Sequence, residues 1–165
     1  MAKVGLIMGS KSDFEVVKEC IDTLKSFGVE SDVIVPSAHR TPEQTVEWTK
    51  SAKSKGISVI VAFAGAAAHL AGVVASKTNL PVIAVPIAST TLGGLDSLLS
   101  SVQMPGGIPV ATMAIGKAGA KNAALYACQI IALNDNVLYE KLEQYRKDMA
   151  EKITKDNQSL ADLLK

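Results

Sequence analysis

Two adjacent side chains, His39 and Arg40, combine two kinds of chemistry that suit an enzyme acting on an anionic small molecule. An imidazole can take up and return a proton near neutral pH. The planar guanidinium beside it can bind a phosphate or a carboxylate through two parallel hydrogen bonds. Taken alone, the pair could equally be a surface coincidence, so its meaning depends on what the fold brings near it.

Two serines near the start of the chain, Ser10 and Ser12, are candidates for holding an anion. They belong to residues 9–13, between a predicted strand and a predicted helix, where free backbone amides favour phosphate binding. Ser12 is predicted to cap the helix, with Glu15 completing a capping box. Simple capping would explain Ser12 but would leave Ser10 without a role.

A third loop, residues 64–69, consists of small residues followed by His69. Small side chains allow a ligand to approach the backbone closely. His69 could instead be a partly buried histidine with a purely structural role. If this loop is considered by itself, the structural role is the better explanation.

The elements that must position these loops alternate along the chain. Apolar runs at residues 4–8, 32–35, 57–63, 82–85 and 109–114 are predicted strands, and amphipathic segments separate them. Five strand–helix units predict an α/β fold, a three-layer α/β/α sandwich around a parallel five-stranded flavodoxin-like sheet. We expect a single domain over residues 1–165, with an α/β core at 1–133 and a C-terminal helix at 135–164. Sites in such sheets form at the carboxyl ends of strands, which selects loops 9–13, 37–40, 64–69 and 88–94.

Composition and motifs exclude several classes of function. The net charge is +1 and no basic block is present, so nucleic acid is not an expected partner. Residues 57–76 carry no charged side chain, but Gly65 and Gly72 interrupt them, so a buried strand and helix are expected instead of a membrane span.

No signal-peptide pattern precedes the first strand, and Cys20 and Cys128 are expected to be reduced thiols, which favours the cytoplasm. Metal-ligand, P-loop and dinucleotide patterns are absent, so no cofactor is expected.

Two features favour a homo-oligomer. Between residues 57 and 133 only four side chains are charged, which is few for the outer helices of a monomer. The predicted C-terminal helix also carries an apolar stripe, which could pack on its own subunit or against a neighbouring subunit. The stripe consists of Leu138, Leu142, Tyr145, Met149 and Ile153.

Taken together and in their order along the chain, the loop motifs resemble those of the PurE family. The resemblance is carried by Met8-Gly9-Ser10-Lys11-Ser12-Asp13, Ser37-Ala38-His39-Arg40-Thr41-Pro42, residues 64–72, Leu95-Asp96-Ser97-Leu98, Val102-Gln103-Met104-Pro105 and residues 114–119. It implies a flavodoxin-like fold in a homo-octamer. It also implies conversion of N5-carboxyaminoimidazole ribonucleotide to its 4-carboxy isomer, by loss of carbon dioxide and recarboxylation at ring carbon four.

The resemblance also implies roles for individual residues. His39 matches the family's general acid/base, and His69 matches a second histidine near the reacting carboxylate. Arg40 and the two serines match residues that hold the ribonucleotide, chiefly through its phosphate, and Asp13 matches a contact to the ribose. The expected substrate-binding set is Ser10, Ser12, Asp13, Ser37, Arg40, Gly65, Ala66 and Leu70.

Two other functions stay open at the level of sequence. A related branch carboxylates aminoimidazole ribonucleotide directly with carbon dioxide, and its third loop is of a Gly-Arg-Ser-Asn type, so residues 67–70 (Ala-Ala-His-Leu) favour the mutase branch. A non-catalytic flavodoxin-like binding module would be yellow with bound flavin, but no convincing flavin phosphate loop is present. This sequence departs from the family pattern at Ala66, usually glycine, and at Ala71, usually proline, both close to His69.

Overall fold

A parallel five-stranded sheet lies at the centre of the protein, with strand order β2-β1-β3-β4-β5. The structure is a computed structural model and describes residues 3–164. The predicted fold class is confirmed, including the C-terminal helix. The strands are β1 (Lys3–Met8), β2 (Glu30–Ile34), β3 (Ile57–Gly65), β4 (Val82–Ile87) and β5 (Ala111–Thr112), and the helices are α1 (Phe14–Ser26), α2 (Pro42–Ser51), α3 (Leu70–Ala75), α4 (Leu95–Val102), α5 (Lys117–Ala132) and α6 (Asn136–Leu163).

The sheet separates two buried clusters, because successive side chains of a strand point to opposite faces. Leu6 of β1 packs with α1 and α5, whereas its neighbour Ile7 packs with α2 and α3 on the other side. Gly5 is needed on the second face, since a Cβ there would lie 2.7 Å from the ring of Trp48. Burial on both faces explains why β3 and β4 are nearly continuous apolar runs.

The segment that resembled a membrane span in length divides as predicted into β3 and α3. Strand β3 extends two residues beyond the predicted end, and its last residue, Gly65, pairs with Ile87 of β4. Within residues 3–164, no helix has both the length and the apolar character needed to cross a membrane.

The predicted fifth strand, 109–114, is too long. Only Ala111 and Thr112 pair with β4, opposite Ile83 and Ala84. Pro109 has no N–H to donate to a ladder, and β5 lies at the edge of the sheet, where no further strand extends the pairing.

The predicted capping of the helix that follows the first loop is wrong in its details. An additional 3-10 turn, Lys11–Asp13, precedes α1, and it is Ser10 whose hydroxyl accepts the N–H of Ser12, at 3.3 Å. The turn shifts the first free amides toward the N-terminus, so Ser12 does not cap α1. At α2 the hydroxyl of Thr41 does not cap the helix either; it accepts the N–H of Ser37 at 2.9 Å.

The first half of α6 packs on the core of its own chain. Leu138 and Leu142 are buried, and the ring of Tyr145 meets Phe27 edge-on with 5.5 Å between centroids. The ammonium of Lys141 donates to the carbonyl of Phe27 at 3.1 Å, at the C-terminus of α1, where a positive charge is favourable. From residue 146 onward every side chain that the structure describes is exposed.

Candidate active site

Four loops meet at the carboxyl ends of β1, β2, β3 and β4 and enclose a pocket of about 340 Å³. These are the loops that the sequence selected. Every predicted site residue except Ala66 lines this pocket. Its lining consists of Gly9, Ser10, Ser12, Asp13, Ser37, Ala38, His39, Arg40, Ala64, Gly65, Ala67, His69, Leu70 and Ser89.

The position of the pocket follows from the strand order. Strand β1 lies between β2 and β3, so the loops after β1 and β3 diverge to opposite sides of the sheet and leave a crevice between them. Side chains from four different loops can reach into this crevice because all five strands run in the same direction.

The two histidines of the chain are in direct contact inside the pocket. Nε2 of His39 lies 3.1 Å from Nδ1 of His69, and the two ring planes are nearly perpendicular at 89°. At this distance one ring nitrogen can donate a hydrogen bond to the other, and which ring is the donor depends on the tautomers. The arrangement leaves Nδ1 of His39 and Nε2 of His69 for other partners.

The guanidinium of Arg40 connects the first and second loops. Its Nη2 donates to the carbonyl of Gly9 at 3.0 Å, and the backbone N–H of Arg40 donates to the hydroxyl of Ser37 at 3.2 Å. No salt bridge to Arg40 is present among residues 3–164. The positive charge is therefore held in place at the pocket wall without a carboxylate partner, which suits it for an anionic ligand.

The first loop presents two hydroxyls and a carboxylate. The Ser12 hydroxyl lies 2.8 Å from that of Ser10 and 3.3 Å from Oδ1 of Asp13, so its one proton can go to either. Asp13 is buried, and burial raises the pKa of its carboxyl; hydrogen bonds from the Ser12 side chain and the Ser10 backbone partly offset this effect. Such a carboxylate gains from a ligand hydroxyl that donates to it.

The third loop places small residues against the fourth. Gly65 lies beside Ser89, and a Cβ at Gly65 would overlap the Ser89 hydroxyl oxygen. Ala66 adopts φ of 55°, a left-handed conformation that a non-glycine residue enters at a cost. Ala66 itself is not part of the pocket lining, although both of its neighbours are. It turns the chain so that Ala67 and His69 face the pocket.

Sequence reasoning missed one polar residue of the pocket, Ser89. It selected loop 88–94 but named no residue in it, because Ser89 is followed by Thr90 and Thr91 and nothing in the sequence distinguishes these hydroxyls. The structure separates them, since only Ser89 lines the pocket, whereas Thr90 donates to Asp96 of α4 at 2.8 Å.

The cysteines lie away from this chemistry. Cys20 and Cys128 are free thiols buried between α1 and α5. Burial raises the pKa of Cys20 to about 12 and that of Cys128 to about 11, so neither forms a thiolate near neutral pH. Among residues 3–164, no three His, Cys, Asp or Glu side chains converge as metal ligands would.

The family model described as AIR carboxylase matches residues 3–152. The chain belongs to this family. The resemblance to PurE proteins that the loop motifs indicated is thereby confirmed, and the matched range includes all four loops of the pocket and the first half of α6.

Proteins similar to this chain match it over nearly their whole length, and one solved structure has the same fold. The N5-carboxyaminoimidazole ribonucleotide mutase of Saccharolobus solfataricus is 55% identical over 149 residues, which cover 90% of this chain and 93% of that protein. The enzyme of the same name from Bacillus subtilis is 50% identical over 95% of this chain and 97% of its own. The crystal structure of Treponema denticola PurE superposes with a TM-score of 0.88 at 31% identity and covers 97% of this chain and 99% of its own.

Proposed function

We propose that the protein is a cytoplasmic isomerase of purine biosynthesis that converts N5-carboxyaminoimidazole ribonucleotide to 4-carboxy-5-aminoimidazole ribonucleotide. The observation that carries this proposal is the contact between His39 and His69, 3.1 Å apart, in the pocket that Arg40 makes suitable for an anion. The names of relatives about half identical to this chain over nearly their whole length support the same reaction.

The reaction needs a group that moves a proton and a pocket that retains carbon dioxide. The N–carboxyl bond of the substrate breaks, carbon dioxide leaves, and the exocyclic nitrogen takes up a proton. Ring carbon four then attacks the carbon dioxide, forms a C–C bond and loses its own proton. We assign the transfer of this proton to His39, with His69 beside the carboxylate, because an imidazole can serve as acid and base near neutral pH.

The remaining polar groups would bind the ribonucleotide. Arg40 and the hydroxyls of Ser10 and Ser12 suit the phosphate, since hydroxyl donors and a guanidinium with no carboxylate partner among residues 3–164 complement its charge. Asp13 suits a ribose hydroxyl that donates to its buried carboxylate. Ser37, Gly65 and Leu70 complete the wall around the ring, where small side chains let the substrate approach the backbone.

Two incubations distinguish the mutase from a direct carboxylase. The purified protein is given N5-carboxyaminoimidazole ribonucleotide in one, and aminoimidazole ribonucleotide with modest bicarbonate in the other, and the 4-carboxy product is quantified by chromatography. We expect rapid turnover of the N-carboxylated substrate. Turnover only in the second mixture would identify a carboxylase, and no turnover in either, together with a yellow purified protein, would identify a flavin-binding module.

A variant tests the assignment of the proton carrier. His39→Asn keeps a polar side chain but cannot move a proton, so we expect kcat to fall by about a hundredfold or more. Glu43→Gln, an exposed change on α2, serves as the control and should keep wild-type turnover. Full activity of His39→Asn would refute the assignment.

We also propose that the chain acts as a homo-oligomer, an octamer by its resemblance to the family. Met149 and Ile153 are 46% and 60% exposed on the second half of α6, and Leu133 at the end of α5 is 80% exposed. Exposed apolar side chains on α6 and at the end of α5 favour burial against another copy. Light scattering should give a single large species, and Ile153→Glu should dissociate it, whereas the neighbouring Lys152→Glu should not. A wild-type monomer at micromolar concentration would contradict this proposal.

A further inference from the structure

The loop that carries His69 is attached to α4 through one side chain. The backbone N–H of Ala68 donates to the hydroxyl oxygen of Ser100 at 2.9 Å. Ala68 is 2% exposed, so this N–H has little access to water as an alternative partner. Among residues 3–164, no other side chain hydrogen-bonds to the backbone of residues 66–69.

The Ser100 hydroxyl is itself held in a fixed orientation. It donates to the carbonyl of Asp96 at 2.8 Å, one turn earlier in α4, with the carbonyl of Ser97 at 3.2 Å as an alternative acceptor. Its single proton is therefore used within the helix, and its lone pairs point to the loop. A helix gives this acceptor a rigid support that a loop would not.

Local conformation does not fix the loop by itself. Ala66 lies in the left-handed region, which a non-glycine residue leaves readily unless surrounding contacts hold it there. Between this residue and the start of α3, and within residues 3–164, the bond from Ala68 to Ser100 is the one hydrogen bond that joins the loop backbone to a side chain of another element. His69, the next residue, keeps its ring nitrogen 3.1 Å from that of His39.

We infer that Ser100 is a positioning residue that holds His69 at its contact with His39. This inference rests on the proposed function, in which both imidazoles act on the substrate. Ser100 takes no part in the chemistry and lies outside the pocket lining. Without the Ser100 hydroxyl, the buried N–H of Ala68 has no hydrogen-bond acceptor. If the loop then moves to give this N–H another acceptor, His69 moves away from His39 with it.

Steady-state kinetics of three Ser100 variants test the inference. Ser100→Ala should lower kcat roughly tenfold and leave KM within about twofold, because the residues that bind phosphate and ribose stay in place. Ser100→Thr keeps the hydroxyl acceptor and should restore most of the activity. Ser100→Cys preserves the shape of the side chain but offers a weaker acceptor, so its kcat should lie between those of Ser100→Ala and Ser100→Thr. The matched control is Ser101→Ala, which removes the next serine of α4, 2% exposed, and should behave as wild type.

A spectroscopic readout separates failure of this inference from failure of the proposed function. We expect the imidazole 15N signals of both His39 and His69 to shift or broaden in Ser100→Ala but not in Ser101→Ala. This result does not depend on the identity of the substrate, so it holds even if the wild type proves to have a different activity. Unchanged signals and unchanged kcat in a folded Ser100→Ala protein would overturn the inference. If that variant does not fold, wild-type kinetics and signals in Ser100→Cys would overturn it instead.

Discussion

Gly65 and Ser89 face each other across the ends of β3 and β4 with no room for a methyl group between them. A Cβ on Gly65 would overlap the Ser89 hydroxyl and would lie 3.1 Å from the carbonyl of Ile87, which belongs to the backbone of β4. Gly65→Ala must therefore displace Ser89 or separate the two loops at the pocket. We expect kcat/KM to fall by roughly ten- to a hundredfold, since a displacement of about 1 Å in a catalytic site has effects of this size.

Gly106→Ala is the matched control for this substitution. No atom lies within 4 Å of a Cβ at Gly106, and its φ is not positive, so this change adds the same methyl group without a clash. Its kcat/KM should equal that of the wild type. Equal activity of the two variants would show that the contact of Gly65 with Ser89 does not shape the pocket.

Ala66 gives a prediction about stability. A non-glycine residue at φ of 55° is strained, and glycine removes that strain at the cost of a more flexible unfolded chain. The balance favours Ala66→Gly, which should raise the free energy of unfolding by about 0.5 to 1 kcal/mol. Denaturant titration measures this difference. Ala67→Gly, the next position, has no positive φ and should destabilise; stabilisation by both changes would refute the conformational explanation.

The sequence carried enough information to predict the fold and the four loops of the site. Buried strands such as β3 are continuous apolar runs, and parallel strand order then places both histidines at one edge of the sheet. Details that depend on distances between loops were beyond prediction. The approach of Ser89 to Gly65 and the support of Ala68 by Ser100 each join residues that are far apart in the chain and that no periodicity relates.

The buried carboxyl group of Asp13 is expected to lower the free energy of unfolding as the pH rises. Burial raises the pKa of its carboxyl in the folded protein above the unfolded value. Its stabilising contribution is therefore present below the unfolded pKa and is lost as the pH rises through the folded pKa. Asp13→Asn removes this loss, so the variant should gain stability relative to the wild type as the pH increases from about 4 to 7. Its activity should fall, because the amide replaces a carboxylate proposed to bind the ribose.

Denaturant titrations at several pH values measure this effect. Asp22→Asn, at an exposed position of α1, is the control and should show no comparable change with pH. A constant difference in unfolding free energy between Asp13→Asn and the wild type, at every pH, would contradict the explanation by burial.

Cys20 and Cys128 should be almost unreactive in the native protein. Burial raises their pKa values to about 12 and about 11, and proximity of the two thiols adds to the effect at Cys20. Since the thiolate is the reactive form, an aromatic disulfide reagent at mildly alkaline pH should react roughly a hundredfold or more slowly with the native protein than with protein unfolded in guanidinium. Two thiols per chain should react after unfolding. Because both side chains lie between α1 and α5, outside the pocket lining, brief treatment of the native protein should leave turnover unchanged. Rapid labelling accompanied by loss of activity would show that these helices open in the native state, or that a thiol contributes to the site.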